Sequence, residues 1–141
     1  MSILSPMLPE ARVLDLCAGS GALGLECLSR GAAECDFVES SSRVLSVLRR
    51  NVEALGGHPG ARLHLDDALR FAGKLKAGQF DLALADPPYD SELARELAEL
   101  WLELPFASVL AVEHSSSLVL PAVGETRRYG STSLTFFRLA P

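Results

Sequence analysis

The chain has 141 residues, of which 48% are hydrophobic and 22% are charged, a composition typical of one globular domain covering residues 1–141. Its formal net charge of −5 argues against a surface that is basic overall, as nucleic-acid-binding proteins often have, but a local basic patch is compatible with it. No apolar run is long enough to span a membrane and no basic segment precedes the first apolar residues, so we expect a cytoplasmic protein without a secretory signal.

Segments typical of strands alternate with amphipathic helical segments, a pattern that predicts a mostly parallel α/β sheet with helices on both faces. In chain order, the predicted parallel strands are Arg12–Leu16, Cys35–Val38, Arg62–Leu65, Phe80–Ala85 and Ser108–Glu113. The predicted helices that follow the first four strands end near Arg30, Leu55, Leu75 and Leu104. Residues 125–129 and 134–139 flank a Gly130-Ser131-Thr132 turn and predict an antiparallel hairpin, which completes a sheet of about seven strands.

Three glycines follow the first predicted strand. Gly19, Gly21 and Gly24 have the spacing G-x-G-x-x-G, which by itself is a weak sign of dinucleotide binding. Asp15 lies four residues before Gly19, and a carboxylate there would repel a pyrophosphate and favour a cationic ligand. This favours S-adenosylmethionine, which carries a sulfonium and an ammonium group, over NAD. The turn's backbone N–H groups would bind its carboxylate, and the predicted contacts here are Asp15, Ala18, Gly19, Ser20 and Gly21.

Acidic residues also end the next two predicted strands. Glu39 ends the second strand, and its two carboxylate oxygens suit the two ribose hydroxyls of the same ligand. Ser40, which follows it, is a further predicted cofactor contact. Asp67 follows the third strand, where it would accept from the adenine amino group while the N–H of Ala68 donates to a ring nitrogen. Each position taken singly is often just a polar strand end, but together with the acids of the first and fourth strands they would line one edge of the sheet.

The fourth predicted strand leads into Asp86-Pro87-Pro88-Tyr89. Each proline holds the preceding residue extended and removes a backbone donor, so this loop presents acceptors: the Asp86 carboxylate and the Pro87 carbonyl. Tyr89 adds a stacking face, and acceptors beside such a face suit a planar base that bears an NH2 group. Asp86, Pro87 and Tyr89 are therefore the predicted catalytic residues, and Asp86 is also a predicted cofactor contact. The structural alternative is that Asp86 caps a helix and the prolines only stiffen a loop.

The cysteines and histidines predict no metal site. Cys17, Cys27 and Cys35 are an odd number without paired spacing and lie in apolar surroundings, so we expect small core residues in a reducing compartment. The three histidines lack the spacing of metal ligands.

The segment Val13–Glu26, continued by Leu28–Ala32, resembles the RsmD-like family, the bacterial 16S ribosomal RNA guanine-N2 methyltransferases. Further matches, in chain order, are Phe37–Glu39, Asp67–Leu69, Asp86–Tyr89, Glu113-His114 and Tyr129-Gly130. The resemblance implies a Rossmann-like seven-stranded sheet, S-adenosylmethionine as cofactor, and 16S ribosomal RNA or a small-subunit particle as partner. A guanine turned out of the RNA would then stack on Tyr89 and donate from its N2 amine to Asp86 and Pro87.

Members of this family usually begin with a basic segment and a helix that would contact RNA and cover the cofactor. Here eleven residues precede Arg12, so we expect Met1–Leu8 to be a remnant of that helix. Three alternatives stay open at this point. They are a DNA adenine or cytosine amino-methyltransferase, a protein glutamine methyltransferase, and a cofactor-binding module or truncated paralogue without catalytic activity.

Overall fold

The computed structural model describes residues 3–89 and 91–139, which form one seven-stranded sheet with helices on both faces. The strands are β1 (Arg12–Leu16), β2 (Glu34–Glu39), β3 (Ala61–Leu65), β4 (Phe80–Ala85), β5 (Ala107–Ser115), β6 (Glu125–Tyr129) and β7 (Thr132–Arg138). The helices are α1 (Ala22–Ser29), α2 (Ser42–Ala54), α3 (Ala68–Gly73) and α4 (Leu93–Glu103). The predicted fold class is confirmed.

The strand order in the sheet is β3-β2-β1-β4-β5-β7-β6. Strands β1 to β5 run parallel, and β7 lies antiparallel between β5 and β6. The chain order reverses between β1 and β4, because the chain moves outward from β1 to β3 before β4 returns to pair with β1. In open α/β sheets a ligand crevice forms outside the carboxyl ends of the strands at such a reversal, and Gly19 and Asp86 follow these two strand ends.

Two apolar layers cover the sheet, one on each face. The layer under α1 and α2 contains, among others, Cys27, Cys35, Phe37, Leu45, Leu48 and Phe136. The layer under α3 and α4 contains, among others, Leu14, Ala72, Leu97, Trp101, Leu110 and Phe137. Trp101 is 5% exposed and its indole N–H donates to the Ala107 carbonyl over 2.8 Å, so it is part of the core.

Local details confirm some predicted boundaries and correct others. Ser41 caps α2, because its hydroxyl accepts from the Val44 N–H over 3.2 Å. Leu55 is 70% exposed although the helical pattern placed it on the buried face of α2; the helix ends at Ala54, and beyond that point the helical spacing no longer determines where a side chain faces. None of the described helices has the length and apolarity that crossing a membrane requires.

The segment before β1 differs from the predicted helix remnant. Within residues 3–8 the structure has a single 3-10 turn, Ser5–Met7, and Leu4 and Leu8 are buried in the layer under α1 and α2. Met1 and Ser2 lie outside the described residues. The described part of this segment therefore packs as part of the domain core.

Candidate active site at the carboxyl ends of the strands

The glycine turn after β1 depends on backbone conformations that side chains disfavour. Gly19 and Gly21 have φ of 57° and 87°, and a Cβ on Gly21 would lie 2.1 Å from the Leu48 side chain of α2. Cys17, which starts the turn, also has a positive φ of 60°. The Ala18 N–H donates to the Val38 carbonyl over 2.9 Å, which ties the turn to β2. The turn therefore lies close against α2 and β2, and only glycine fits at position 21 without displacing a neighbour.

Asp15 lies beneath this turn. Its side chain is 2% exposed, and its carboxylate accepts a hydrogen bond from the Gly24 N–H over 3.1 Å. Burial, together with the nearby carboxylates of Asp86 and Glu39, raises the pKa of Asp15 to about 7 against the lowering effect of the Gly24 bond. The sequence predicted a direct contact with a cationic ligand; the structure gives the carboxylate a backbone partner in α1 and leaves ligand contact a prediction.

Glu39 joins the glycine turn to α2. One carboxylate oxygen accepts from the Gly19 N–H and the other from the Ser41 N–H, both over 2.9 Å. The sequence did not reveal the bond to Gly19, because Gly19 is twenty residues away in the chain. Each oxygen of a carboxylate can accept more than one hydrogen bond, so Glu39 keeps acceptor capacity for a ligand hydroxyl.

The end of β3 supplies a second acidic pair. Asp67 caps α3 by accepting from the Arg70 N–H over 2.9 Å, and Asp66 accepts from the Asp67 N–H over 2.7 Å. Asp66 was not predicted as a site residue, although its place beside Asp67 at the same strand end was a usable signal. Both carboxylates face the crevice that the strand ends form.

A cavity of about 310 Å³, here called the larger cavity, opens at these strand ends. Its walls are formed by Cys17, Val38, Glu39, Ser40, Asp66, Asp67, Ala68, Asp86, Pro88 and Leu93. The structure thus brings together five predicted cofactor contacts from three strand ends, Glu39, Ser40, Asp67, Ala68 and Asp86. The other five, Asp15, Ala18, Gly19, Ser20 and Gly21, are not among the wall residues and lie at and after the end of β1. No lysine or arginine is among the wall residues of this cavity.

Cys17 corrects a prediction made from composition. Cys27 and Cys35 are buried core residues as expected, but Cys17 is partly exposed and forms part of the larger cavity's wall. Burial first, and then the nearby carboxylates beginning with Asp15, raise the pKa of the Cys17 thiol to about 12. The thiol is therefore neutral at physiological pH and gives the cavity a soft, uncharged wall.

The loop after β4 separates the larger cavity from a second one. The smaller cavity, of about 120 Å³, is lined by Asp86, Pro87, Tyr89, Glu113, His114 and Thr132. Asp86 contributes to both cavities, and partial burial raises the pKa of its carboxyl group. The sequence predicted the first three of these residues as site residues. It gave Glu113 and His114 only as a family match without a role and did not single out Thr132; these three residues reach the site from β5 and β7.

Several hydrogen bonds fix the shape of this loop. The Pro88 carbonyl accepts from the Ser91 N–H over 3.1 Å and from the Ser91 hydroxyl over 2.8 Å. The Tyr89 hydroxyl donates to the Ser131 carbonyl over 3.2 Å, while the Tyr89 side chain stays 57% exposed. Among residues 3–89 and 91–139, none donates a hydrogen bond to the Pro87 carbonyl. The loop therefore offers an exposed ring, a carboxylate and a carbonyl in fixed positions around the smaller cavity.

The described residues contain no group of three or more histidine, cysteine, aspartate or glutamate side chains placed to hold a metal ion.

Comparison with known proteins places the chain among methyltransferases. The family model described as "Conserved hypothetical protein 95" matches residues 1–138. The chain is 32% identical to the Bacillus subtilis protein named "Putative rRNA methyltransferase YlbH", over 97% of this chain and 80% of that protein. It is 30% identical to ribosomal RNA small subunit methyltransferase D of Haemophilus influenzae, over 96% of this chain and 74% of that protein. For the Escherichia coli protein of the same name the identity is 36%, over 69% of this chain and 48% of that protein.

The fold of the chain is also similar to that of solved methyltransferase structures. A "putative methyltransferase" from Escherichia coli superposes with a TM-score of 0.82 at 29% identity, covering 97% of this chain and 80% of that chain. A "putative methylase" from Haemophilus influenzae superposes with a TM-score of 0.83 at 26% identity, covering 97% of this chain and 91% of that chain. The architecture and the order of its strands are therefore those of Rossmann-like methyltransferases.

Proposed function

The chain belongs to the Conserved hypothetical protein 95 family, the RsmD-like methyltransferases, and on this basis we propose that it methylates N2 of a guanine in 16S ribosomal RNA with S-adenosylmethionine. One observation carries the proposal. Asp86 lies between a larger cavity lined by acidic groups and a smaller cavity that contains the Tyr89 ring. A carboxylate in that position can hold an amine of one ligand next to a cationic group of another.

The chemistry of the larger cavity fits S-adenosylmethionine. Its walls include the carboxylates of Glu39, Asp67 and Asp86 and no described basic side chain, which suits a ligand with sulfonium and ammonium groups. The same carboxylates would oppose the pyrophosphate of a dinucleotide. Glu39 would hold the ribose hydroxyls, Asp67 and Ala68 the adenine edge, and the turn from Ala18 to Gly21 the amino-acid end. When bound, S-adenosylmethionine supplies an electrophilic methyl group on its sulfonium and leaves as S-adenosylhomocysteine.

The loop after β4 would hold the target base. A guanine that enters the smaller cavity stacks on Tyr89, whose hydroxyl is held by the Ser131 carbonyl. Its N2 amine donates to the Asp86 carboxylate and to the Pro87 carbonyl, which has no donor among the described residues. These two acceptors keep the nitrogen lone pair out of conjugation with the ring and direct it toward the larger cavity.

Asp86 would also accept the proton that the target nitrogen releases. Methylation makes the target nitrogen positive, and that nitrogen must then lose one proton. The negative carboxylate stabilises the developing charge, and the raised pKa of Asp86, caused by its partial burial, makes it a better proton acceptor than an exposed aspartate. Water at the open face of the smaller cavity can then take the proton from Asp86.

A labelled-methyl screen tests this proposal. The chain is incubated with S-adenosylmethionine labelled in the methyl group and, in separate reactions, protein-free 16S RNA, small-subunit particles, duplex DNA and a glutamine-containing protein substrate. Calorimetric titration with S-adenosylhomocysteine runs in parallel. We expect binding of the cofactor product and methyl transfer to one of the two ribosomal samples, recovered as N2-methylguanine after digestion.

Each other result of the screen has a distinct meaning. Label in DNA or protein would replace the RNA substrate with one of the alternatives from the sequence. Binding of S-adenosylhomocysteine without transfer to any sample would favour a cofactor-binding module over an enzyme. No binding at all would contradict the assignment of the larger cavity.

A further inference from the structure

Glu113 stands beside Asp86 in the smaller cavity. Strands β4 and β5 are paired up to Ala85 and Val112, and Asp86 and Glu113 are the next residues of the two neighbouring chain segments. Residues paired in parallel strands point to the same face of the sheet, which places both carboxylates on the same side. Both residues line the smaller cavity together with the Tyr89 ring.

Neither carboxylate has a protein partner in the described part of the chain. No described residue donates a hydrogen bond to the side-chain carboxylate of Asp86 or Glu113, and neither carboxylate forms an ion pair with a described basic side chain. Partial burial and the neighbouring Asp86 raise the pKa of Glu113. Both side chains are exposed, so these two adjacent acceptors stay available to hydrogen-bond donors of a ligand that enters the smaller cavity.

The other polar side chains of the smaller cavity are largely committed to the protein. The His114 ring donates from Nδ1 to the Ser115 carbonyl over 2.9 Å, since a carbonyl can only accept. Its Nε2 lies 2.7 Å from the Thr135 hydroxyl, so neither ring nitrogen is left for a base. The Tyr89 hydroxyl is used by Ser131. Glu113 is therefore the charged group besides Asp86 that can interact with the edge of a base here.

We propose that Glu113 selects guanine by accepting a hydrogen bond from its N1–H while Asp86 and Pro87 accept from its N2 amine. The inference rests on the proposed function and names the residue that chooses the base. Guanine presents two adjacent donors, N1–H and N2–H2. In adenine and cytosine the ring nitrogen next to the amine is an acceptor, which would face the Glu113 carboxylate and be repelled by it.

RNA that contains 2-aminopurine tests this proposal directly. This base keeps the 2-amino group of guanine, but its N1 is an acceptor. The target segment, mapped in the labelled-methyl screen, is synthesised with guanine or 2-aminopurine at the methylated position and ligated into the RNA or particle that serves as substrate. Initial rates of methyl transfer then give kcat/KM for both bases, with the wild type and with Glu113→Gln, Glu113→Ala and Glu99→Gln.

We expect the wild type to prefer guanine to 2-aminopurine by roughly 10- to 100-fold, the range of one good base-edge interaction. Glu113→Gln should lower kcat/KM for guanine about tenfold and raise it for 2-aminopurine, because the glutamine amide can donate to N1. Glu113→Ala should lose the preference without that gain. Glu99→Gln, an exposed substitution on α4, should behave as the wild type.

The inference is overturned if Glu113→Gln changes the rates with both bases by the same factor, or changes neither. Thermal melting and S-adenosylhomocysteine titration of each variant show whether the fold and the larger cavity are intact; Glu113 is exposed, so we expect both to be unchanged. A wild type that methylates no RNA sample contradicts the proposed function as well, and this result differs from failure of the Glu113 assignment alone.

Discussion

At the amino ends of the parallel strands, acidic side chains form ion pairs with arginines. At the carboxyl ends, most of the described acidic side chains form no such pair. Asp81, near the start of β4, lies 3.7 Å from Arg12, and Glu34, at the start of β2, lies 3.0 Å from Arg62. At the carboxyl ends, the donors to Glu39 among the described residues are backbone N–H groups, and Asp86 has no described ion-pair partner. Asp66 is an exception, 4.0 Å from Arg70.

This difference separates charges that serve the fold from charges kept for a ligand. Exposed ion pairs add little to stability, about 0–1 kcal/mol each, but they remove the repulsion between like charges. Burying a carboxylate near other carboxylates costs stability, and the pKa of Asp15, raised to about 7 first by burial and then by Asp86 and Glu39, reflects that cost. The chain offers a pair of acids at the two ends of one strand in two places, so both edges can be tested with matched substitutions. The pairs are Asp81 in β4 with Asp86 directly after β4, and Glu34 with Glu39 at the two ends of β2.

The largest expected effect is the loss of turnover in Asp86→Ala. Removing an acceptor that acts on developing charge should lower kcat by about 10²- to 10³-fold. The affinity for S-adenosylhomocysteine should change by less than about threefold, since several other groups line the larger cavity. Rates of methyl transfer and calorimetric titration give the two values.

Asp81→Ala is the matched control on the same strand. It removes the contact with Arg12 at the other end of β4 and should cost at most about 1 kcal/mol of unfolding free energy without changing kcat. If the two alanine variants lose activity to the same degree, the distinction between the edges is wrong.

Next in size is the pH dependence of stability in Asp15→Asn. In the folded wild type the Asp15 pKa is about 7, raised from 3.8, so the folded state holds this proton more tightly than the unfolded state does. The stability that the protonated Asp15 side chain contributes is therefore fully present below about pH 4 and is lost as the pH rises through 7. Between pH 5 and pH 8 the free energy of unfolding of the wild type should therefore fall by about 3 kcal/mol relative to that of Asp15→Asn.

Urea unfolding of both proteins at pH 5 and pH 8 measures this difference. Asparagine can still accept from the Gly24 N–H, so the substitution keeps the bond that anchors α1. A difference in unfolding free energy that stays constant across this pH range would show that Asp15 is not held with a raised pKa beneath the turn.

The smallest expected effect on the carboxyl edge is in Glu39→Gln. Glutamine keeps one accepting oxygen, and its amide nitrogen only donates, so either the Gly19 or the Ser41 N–H loses its acceptor and one acceptor for the ribose hydroxyls is lost. S-adenosylhomocysteine should then bind about tenfold more weakly by calorimetric titration. Glu34→Gln, at the start of the same strand, should leave this affinity within about twofold of the wild type. Equal affinities in the two variants would remove Glu39 from the cofactor site.

Most of the fold and part of the site could be predicted from local signals. The apolar runs of β1 and β4 each depend on neighbouring residues, and both strands were confirmed. The acid after each parallel strand was visible because strand ends are marked by a change from apolar to polar residues. The direct ligand roles of these acids stay predictions.

Contacts between distant residues decided the rest. The Glu39 bond to Gly19 and the Tyr89 bond to Ser131 join residues 20 and 42 positions apart. Cys17 has a positive φ and forms part of the larger cavity's wall, and its residue type predicts neither.

The amino-acid sequence by itself determined the elements, their order and which residue types stand at the strand ends, because hydrophobic periodicity and turn chemistry act over a few residues. Only the tertiary structure decided which of the acidic residues face a cavity, which are bound by backbone N–H groups, and that Glu113 stands beside Asp86. Those outcomes depend on strand order and register, which bring residues from different parts of the chain to one edge of the sheet.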